Sequence, residues 1–231
     1  MPGPAMKRSL RKLLAVLLAP FPSALKVFLL NQMGHKISNT AHIGLSILDI
    51  KLIEMGPGTY IGPGNIFTNL EKLEMKNGSR INRWNRITSN GSKTSILRIC
   101  ERSSISMRHY FDVCNLVEIG HDTIIAGHRS TFFTHSKGIK EIDYTKPIII
   151  GSWCYLGSDL KVAPGTQVGR NCFVGMGSVL VGDSSDQEYA LLAGNPARLK
   201  QKIQKDCTYY QQEALVHEHH RKRKNISAPM S

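Results

Sequence analysis

Cysteines are few, aromatics are sparse and apolar runs are short. The five cysteines, Cys100, Cys114, Cys154, Cys172 and Cys207, are odd in number and include no CxxC pair. Neither a disulfide framework nor a zinc knuckle is therefore expected, and a reducing compartment is. Aromatic residues make up 7% of the 231, so the interior must be built from aliphatic side chains. No apolar run reaches the ~18–20 residues that span a bilayer. Acidic residues are also outnumbered, 17 against 30 Lys and Arg, for a net charge of +13. The excess sits at the ends: Lys7, Arg8, Arg11 and Lys12 open the chain, and eight basic against three acidic residues fill 198–224. Basic ends on a nearly neutral body point to an anionic surface. Membrane lipid is the expected partner rather than nucleic acid, because no groove-reading module accompanies the basic runs.

What is present is a six-residue period. Ile150, Leu156, Val162, Val168, Val174 and Leu180 recur without a miss, and Gly151, Gly157, Ala163, Gly169 and Gly175 follow the first five. Six fits neither a helix nor a simple alternating strand. It fits a parallel β-helix, in which each hexad is one side of a coil, the aliphatic residue points inward and the small residue sits near a corner. No coil buries its column alone, so several must stack.

This stretch resembles the C-terminal part of the hexapeptide-repeat acyltransferases. Gly175-Met176-Gly177-Ser178 is similar to that family's Gly-x-Gly-Ser corner, and Ala193-Gly194-Asn195-Pro196-Ala197-Arg198 to its closing Gly-x-Pro-Ala-Arg signature. The likeness is clear over about 119–203 and fainter back to Ile37. It implies an all-β fold, a left-handed parallel β-helix, although sequence physics alone favours right-handed crossovers. It also implies acetyl-CoA as acyl donor with no metal, a sugar hydroxyl of a surface polysaccharide or its precursor as acceptor, a homotrimer, and a cytoplasmic location.

Three regions are expected. Residues 1–36 form an N-terminal basic and apolar helical segment. Leu10, Leu13, Leu14, Leu17 and Leu18 share a face beside the basic cluster, Pro20 and Pro22 end the first helix, and Ser23 is placed to cap a second. This segment either lies on the inner membrane face as an amphipathic helix or caps the β-helix; a secretory signal is a third reading. Residues 37–196 form the β-helix. Its early coils (Ile37 and Ile43; Ile61, Phe67 and Leu73; Ile81 and Ile87; Ile99 to Val117; Ile119 and Ile125) slip in register, with the extra residues bulging at corners. Residues 136–147 break the repeat and form a projecting loop, where sites are commonly built. Residues 197–231 give a C-terminal helix and a charged tail.

His135, in Phe132-Phe133-Thr134-His135 ahead of that loop, resembles the family's Thr-His before its own loop and a following Pro-x-x-Ile-Gly, here Pro147 to Gly151. It is the expected general base: acyl transfer to a hydroxyl requires the attacking oxygen to lose a proton, and a histidine is suited to accept it near neutral pH. Asp112, Asn115 and Glu118 are candidate orienting partners, and His109 a candidate on the acceptor side. The resemblance places the oxyanion donor at Gly157 or Ser158, the pantetheine arm along Gly175, Met176 and Gly177, and the nucleotide phosphates at Arg198 and Lys200. Lys161 and Arg170 are further basic candidates, and Trp153 could lie along the cofactor. Arg80, Arg83, Arg86, Lys93, Arg98, Arg102 and Arg108 form a basic stretch that could greet an anionic acceptor. Two readings compete with acyl transfer: a non-catalytic scaffold, and a γ-carbonic-anhydrase-like zinc site at His121, His128 and His135, which are spaced by seven.

Overall fold

The computed structural model describes residues 7–137, 144–207 and 209. Two α-helices, α1 (Arg8–Leu18) and α2 (Ser23–Gln32), precede a run of short parallel strands. The strands stack into the three faces of a β-helix, each pairing with the equivalent strand one coil away. On the first face Ile43, Ile61, Ile81, Ile105, Ile125, Leu156 and Val174 point inward and are buried. Leu48, Phe67, Ile87, Phe111, Phe132, Val162 and Leu180 do so on the second. Ile37, Met55, Met75, Ile99, Ile119, Ile150 and Val168 do so on the third. These columns form one continuous core. Phe111 and Phe132 stack within it at 4.4 Å. The buried Cys154 and Cys172 pack beside it, and all five cysteines are free.

One of the three corners keeps the same length in every coil. From the third face to the first, every inward residue is followed by the next after six positions, from Ile37 and Ile43 to Val168 and Val174. That corner is turned by left-handed residues, among them Gly78, Arg102, Asp122, Trp153 and Asn171. The corner after the first face repeats the device with Gly64, Trp84, Arg108, Arg129, Asp159 and Gly177. Each of these donates its N–H to a carbonyl one coil below, as Gly177 does to Ser158 O at 2.9 Å. The insertions gather at the remaining corner, between the second and third faces. There Ile47–Met55 and Ile66–Met75 run straight through as long strands, which merges the two faces into one 13-stranded sheet. Leu73 and Met75 are therefore both buried, being alternate residues of one strand. Most register slips are thus extra lengths of chain at this corner; the corner after the first face adds one residue between Ile125 and Phe132 and loses one between Ile43 and Leu48. Residues 136–147 leave from it too: His135–Ser136 and Tyr144–Thr145 pair antiparallel at the loop's base. The loop's tip, 138–143, lies outside the described residues.

Both ends differ from expectation. Ser23 is the first residue of α2, with Pro22 at the N-cap position, and its Oγ accepts the N–H of Ile43 at 2.9 Å. It ties the helix to the first coil rather than capping it. Val27 and Leu30 of α2 join the core and cover its open end, so the helices do cap the β-helix. On α1, however, Arg11 and Ala15 face inward, whereas Leu10, Leu13 and Leu17 face solvent. The expected C-terminal helix is not found in its first part. Ala197–Lys202 is a strand, antiparallel to Ala190–Gly194. The last first-face strand leaves an unpaired edge, and the Asn195-Pro196 turn folds the chain back to satisfy it. Residues 210–231, with the basic tail and His217, His219 and His220, lie outside the described residues.

Candidate active site

The second face delivers the candidate base. Thr88, Asp112 and Phe133 occupy one register position on three stacked strands, each the outward neighbour of an inward residue. Thr134 then turns inward and is fully buried. Its Oγ accepts the N–H of Cys114 (2.7 Å) and of Asn115 (3.0 Å) and donates to Asp112 O (2.9 Å). Thr134 O accepts the N–H of Lys146, where the loop returns. This clamp presents the next residue, His135, outward at the irregular corner with 48% of its side chain exposed.

His135 Nδ1 lies 2.7 Å from Asp112 Oδ1. A carboxylate can only accept, so Nδ1 carries a proton, and in the neutral ring the lone pair then lies on Nε2. The Cys114 thiol is pushed up to about 11 by burial and by its hydrogen bond to Asp112. It stays protonated and donates to the same carboxylate. Donor atoms of Asp112, Cys114 and His135 lie within 4.8 Å of one another. A cleft of about 420 Å³ opens over this group, bounded by Thr88, Ser89, Asn90, Asp112, His135 and Ser136. Among the described residues its walls are uncharged apart from the dyad and carry several hydroxyls and the Asn90 amide. Tyr110 and Phe133 flank it as a tilted aromatic pair 5.6 Å apart, with Tyr110 OH 2.9 Å from Thr88 Oγ.

Of the partners proposed for His135, the structure selects Asp112. Asn115 turns its Oδ1 to the N–H of Leu116 at 2.7 Å, and Glu118 binds Arg98 at 2.7 Å. His109 does not face an acceptor. It is buried, and its Nδ1 accepts the N–H of Ser130 at 3.1 Å. Burial, with the nearby His128 and against a Gly127 carbonyl, lowers its pKa to about 4. Unfolded, it would titrate near 6.5, so its neutral folded form adds stability that is present above that pH and is lost as pH falls through about 4. We expect thermal melts to show on the order of 3 kcal/mol of acid destabilisation from this site. His109→Asn should flatten the dependence between pH 6.5 and 4; an unchanged slope would refute the assignment.

The residues assigned to the cofactor lie at other corners. Gly157 and Ser158, and Gly175, Met176 and Gly177, belong to the corner after the first face. His135 stands at the corner after the second, so one chain does not bring the two groups together. The Gly157 N–H is already donated to Val174 O at 2.9 Å, which removes it as an oxyanion donor. The Ser158 N–H has no acceptor among the described residues. A Cβ at Gly157 would stand 2.8 Å from Met176 N, so this glycine serves coil stacking. Met176 projects with 75% exposure. Ser178 Oγ donates to Gly175 O at 2.6 Å and accepts Gly194 N–H at 3.2 Å, which ties this corner to the terminal hairpin. Arg198 and Lys200 lie exposed on that hairpin rather than on a helix.

Lys161 approaches Asp159 at 3.4 Å, and Arg170 pairs with Glu188 at 2.9 Å. Trp153 turns a corner edge-on to His121, at 6.3 Å. The basic stretch at 80–108 is not one strip. Arg80 lies over the Tyr60 ring on the first face, Arg86 is on the second, and Arg98 is held by Glu74 and Glu118 on the third. Arg102 binds Asp122 through two contacts of 2.6 Å. The coil disperses what the sequence places side by side. His121, His128 and His135 likewise fall at three different corners, so they cannot share a zinc ion within one chain.

No protein-family model matches the chain. It is 29% identical over 115 residues to an Escherichia coli protein provisionally named lipopolysaccharide biosynthesis O-acetyl transferase WbbJ, an alignment covering 43% of this chain and 58% of WbbJ. The chain thus spans little more than half the length of that relative. Among solved structures, it resembles the polysialic acid O-acetyltransferase OatWY with a TM-score of 0.56, at 17% identity over 79% of this chain and 94% of that one. It also resembles AntD, an N-acyltransferase from Bacillus cereus in complex with dTDP-4-amino-4,6-dideoxyglucose and Coenzyme A. There the TM-score is 0.55, at 13% identity over 71% of this chain and 90% of that one. These likenesses show the fold, the left-handed parallel β-helix of the hexapeptide-repeat acyltransferases.

Proposed function

We propose that the chain is an acyltransferase that moves an acetyl group from acetyl-CoA to a sugar hydroxyl, with His135 as general base. The observation that carries this reading is the His135–Asp112 contact at 2.7 Å, which leaves Nε2 as the free nitrogen of a ring lining a cleft. The acceptor hydroxyl gives its proton to Nε2 as its oxygen attacks the thioester carbon. The tetrahedral oxyanion is stabilised by a backbone N–H, for which Ser158 is the available donor. Collapse expels the CoA thiolate, which takes the proton back from His135. The donor-side corner and the base stand apart in one chain, which supports a site built between copies in a homotrimer, the base from one and the Ser158–Met176 corner from the next. The described wall residues, uncharged apart from the dyad, favour a neutral sugar of a surface polysaccharide precursor over the anionic acceptor suggested by the arginines, and a cytoplasmic enzyme would meet both substrates.

The test is release of free thiol from acetyl-CoA against a panel of neutral and acidic sugars and glycans. Acceptor-dependent release, lost in His135→Ala, is expected. If no acceptor in the panel elicits thiol release, the scaffold reading takes its place.

A further inference from the structure

We propose that α1 and α2 dock the protein on an anionic lipid surface, lying in its interface without crossing it. This is independent of the acyl-transfer reading. It begins with the orientation of α1. An amphipathic helix on a soluble core ordinarily turns its apolar face inward. Here Leu14, Ala15 and Leu18 do turn inward beside Arg11, but a second apolar set, Leu10, Leu13, Val16 and Leu17, is left facing solvent. Arg11 points in, with 6% exposure, and its Nε meets Asp49 Oδ1 at 2.6 Å while its Nη2 donates to Asn69 Oδ1 at 3.0 Å. Asp49 Oδ2 also accepts the Asn69 N–H at 2.9 Å. Lys26 of α2 is buried as well, its Nζ donating to Ala19 O at 3.1 Å and Gly44 O at 2.5 Å. These polar anchors fix the helices so that Leu10, Leu13, Leu17, Phe21, Leu25 and Phe28 are exposed.

Charge identifies the occupant. Residues 1–48 contain no Asp or Glu; the first acidic residue is Asp49, already neutralised by Arg11. Lys7, Arg8 and Lys12 remain exposed on α1 beside the leucines. Exposed leucine and phenylalanine with cations alongside is the pattern of an interfacial helix, apolar face in the acyl boundary and cations at the headgroups. A second copy fits less well. A two-fold contact would set this surface against itself and bring Lys7, Arg8 and Lys12 towards their own equivalents. No described helix is long and apolar enough to cross a membrane, so the helices lie on the surface.

The experiment is co-sedimentation of the full chain with vesicles of phosphatidylcholine alone or mixed with phosphatidylglycerol, across a salt series. The protein should sediment with the mixed vesicles, not with phosphatidylcholine alone, and less as salt rises. Leu13→Glu/Leu17→Glu and Lys7→Glu/Lys12→Glu should each weaken binding by about tenfold or more, equivalent to about 1.4 kcal/mol, with wild-type melting temperatures. The lipid and salt dependence of the wild type needs no variant, so misfolding of a variant would not rescue the proposal. Failure to sediment with the mixed vesicles, or variants that bind as the wild type does, would overturn it. So would light scattering that shows the leucine variant dissociating a larger assembly while no form binds vesicles; that result would assign the face to a second copy.

Discussion

If the proposed dyad operates, Asp112→Asn should lower the acetyl-transfer rate by roughly 10²–10⁴ while leaving acetyl-CoA affinity at its wild-type value. The reason is the direction of one hydrogen bond. Asp112 Oδ1 accepts from His135 Nδ1 at 2.7 Å, and this holds the lone pair on Nε2. An asparagine amide can donate to Nδ1 instead, which moves the imidazole proton to Nε2 and removes the base from the cleft. The carboxylate also stabilises the imidazolium formed as the acceptor proton arrives, and a neutral amide does not. His135→Gln should lose at least as much, and the double variant no more than the worse single one, since the two residues act as a unit. Rates from thiol release, set against affinities from calorimetry, check this. Loss of binding together with rate in Asp112→Asn would instead make Asp112 part of the wall. A rate within a factor of a few of wild type would remove the dyad from the mechanism.

The second large effect is on stability. Arg11→Met should cost about 3–5 kcal/mol, the penalty for leaving a buried charge without its partner. The Asp49 carboxylate would keep the Asn69 N–H but lose the guanidinium. Adding Asp49→Asn removes the charge and retains an acceptor for that N–H. Most of the loss should then return, because replacing a buried pair by neutral groups is often close to neutral. At about 2–4 °C per kcal/mol for a chain of this size, the single variant should melt roughly 10 °C lower. The measurement is thermal unfolding of both. A single-variant loss under about 1 kcal/mol, the range of exposed ion pairs, would mean that the contact is not buried. Arg11 also sets which face of α1 meets solvent, so the single variant should bind vesicles poorly even where it remains folded.

The solenoid was legible in the sequence because its period is a local property. Six residues return the chain to an inward position, and from Ile150 to Leu180 nothing interrupts that rhythm. Earlier, the slips between Phe67 and Met75 or Ile87 and Ile99 could be seen but not placed. Only the stacked coils show that they share a corner, and that His135 and its loop leave from the same one. His135 was proposed as the base from the resemblance of Thr134-His135 and of Pro147 to Gly151 to the family's motif. Its partner could not be chosen among Asp112, Asn115 and Glu118, since the choice depends on which residue of the coil below faces the corner. Aligning Ile87, Phe111 and Phe132 as one inward column would have singled out Thr88, Asp112 and Phe133 as the next outward set. Thr134 and Cys114 had no such signal, because they act through contacts between coils.

Two errors share another cause. The leucines of α1 were expected to behave as one apolar face, yet they divide, Leu14 and Leu18 half-buried and Leu10, Leu13 and Leu17 exposed, and Arg11 is buried among them through an acid 38 positions away. No periodicity reports such a pair. At the other end, 197–202 reads as helical by composition but forms a strand, because the open edge of Ala190–Gly194 is the stronger local demand.

The most direct test of the account is calorimetric titration of the purified full chain with acetyl-CoA and with CoA, alongside metal analysis. Micromolar binding at one site per chain, with no stoichiometric metal, is the expected result for an acyltransferase whose Asp112 and His135 handle protons. A folded protein that binds neither ligand, or one that holds a metal ion at Asp112, Cys114 and His135, would contradict it.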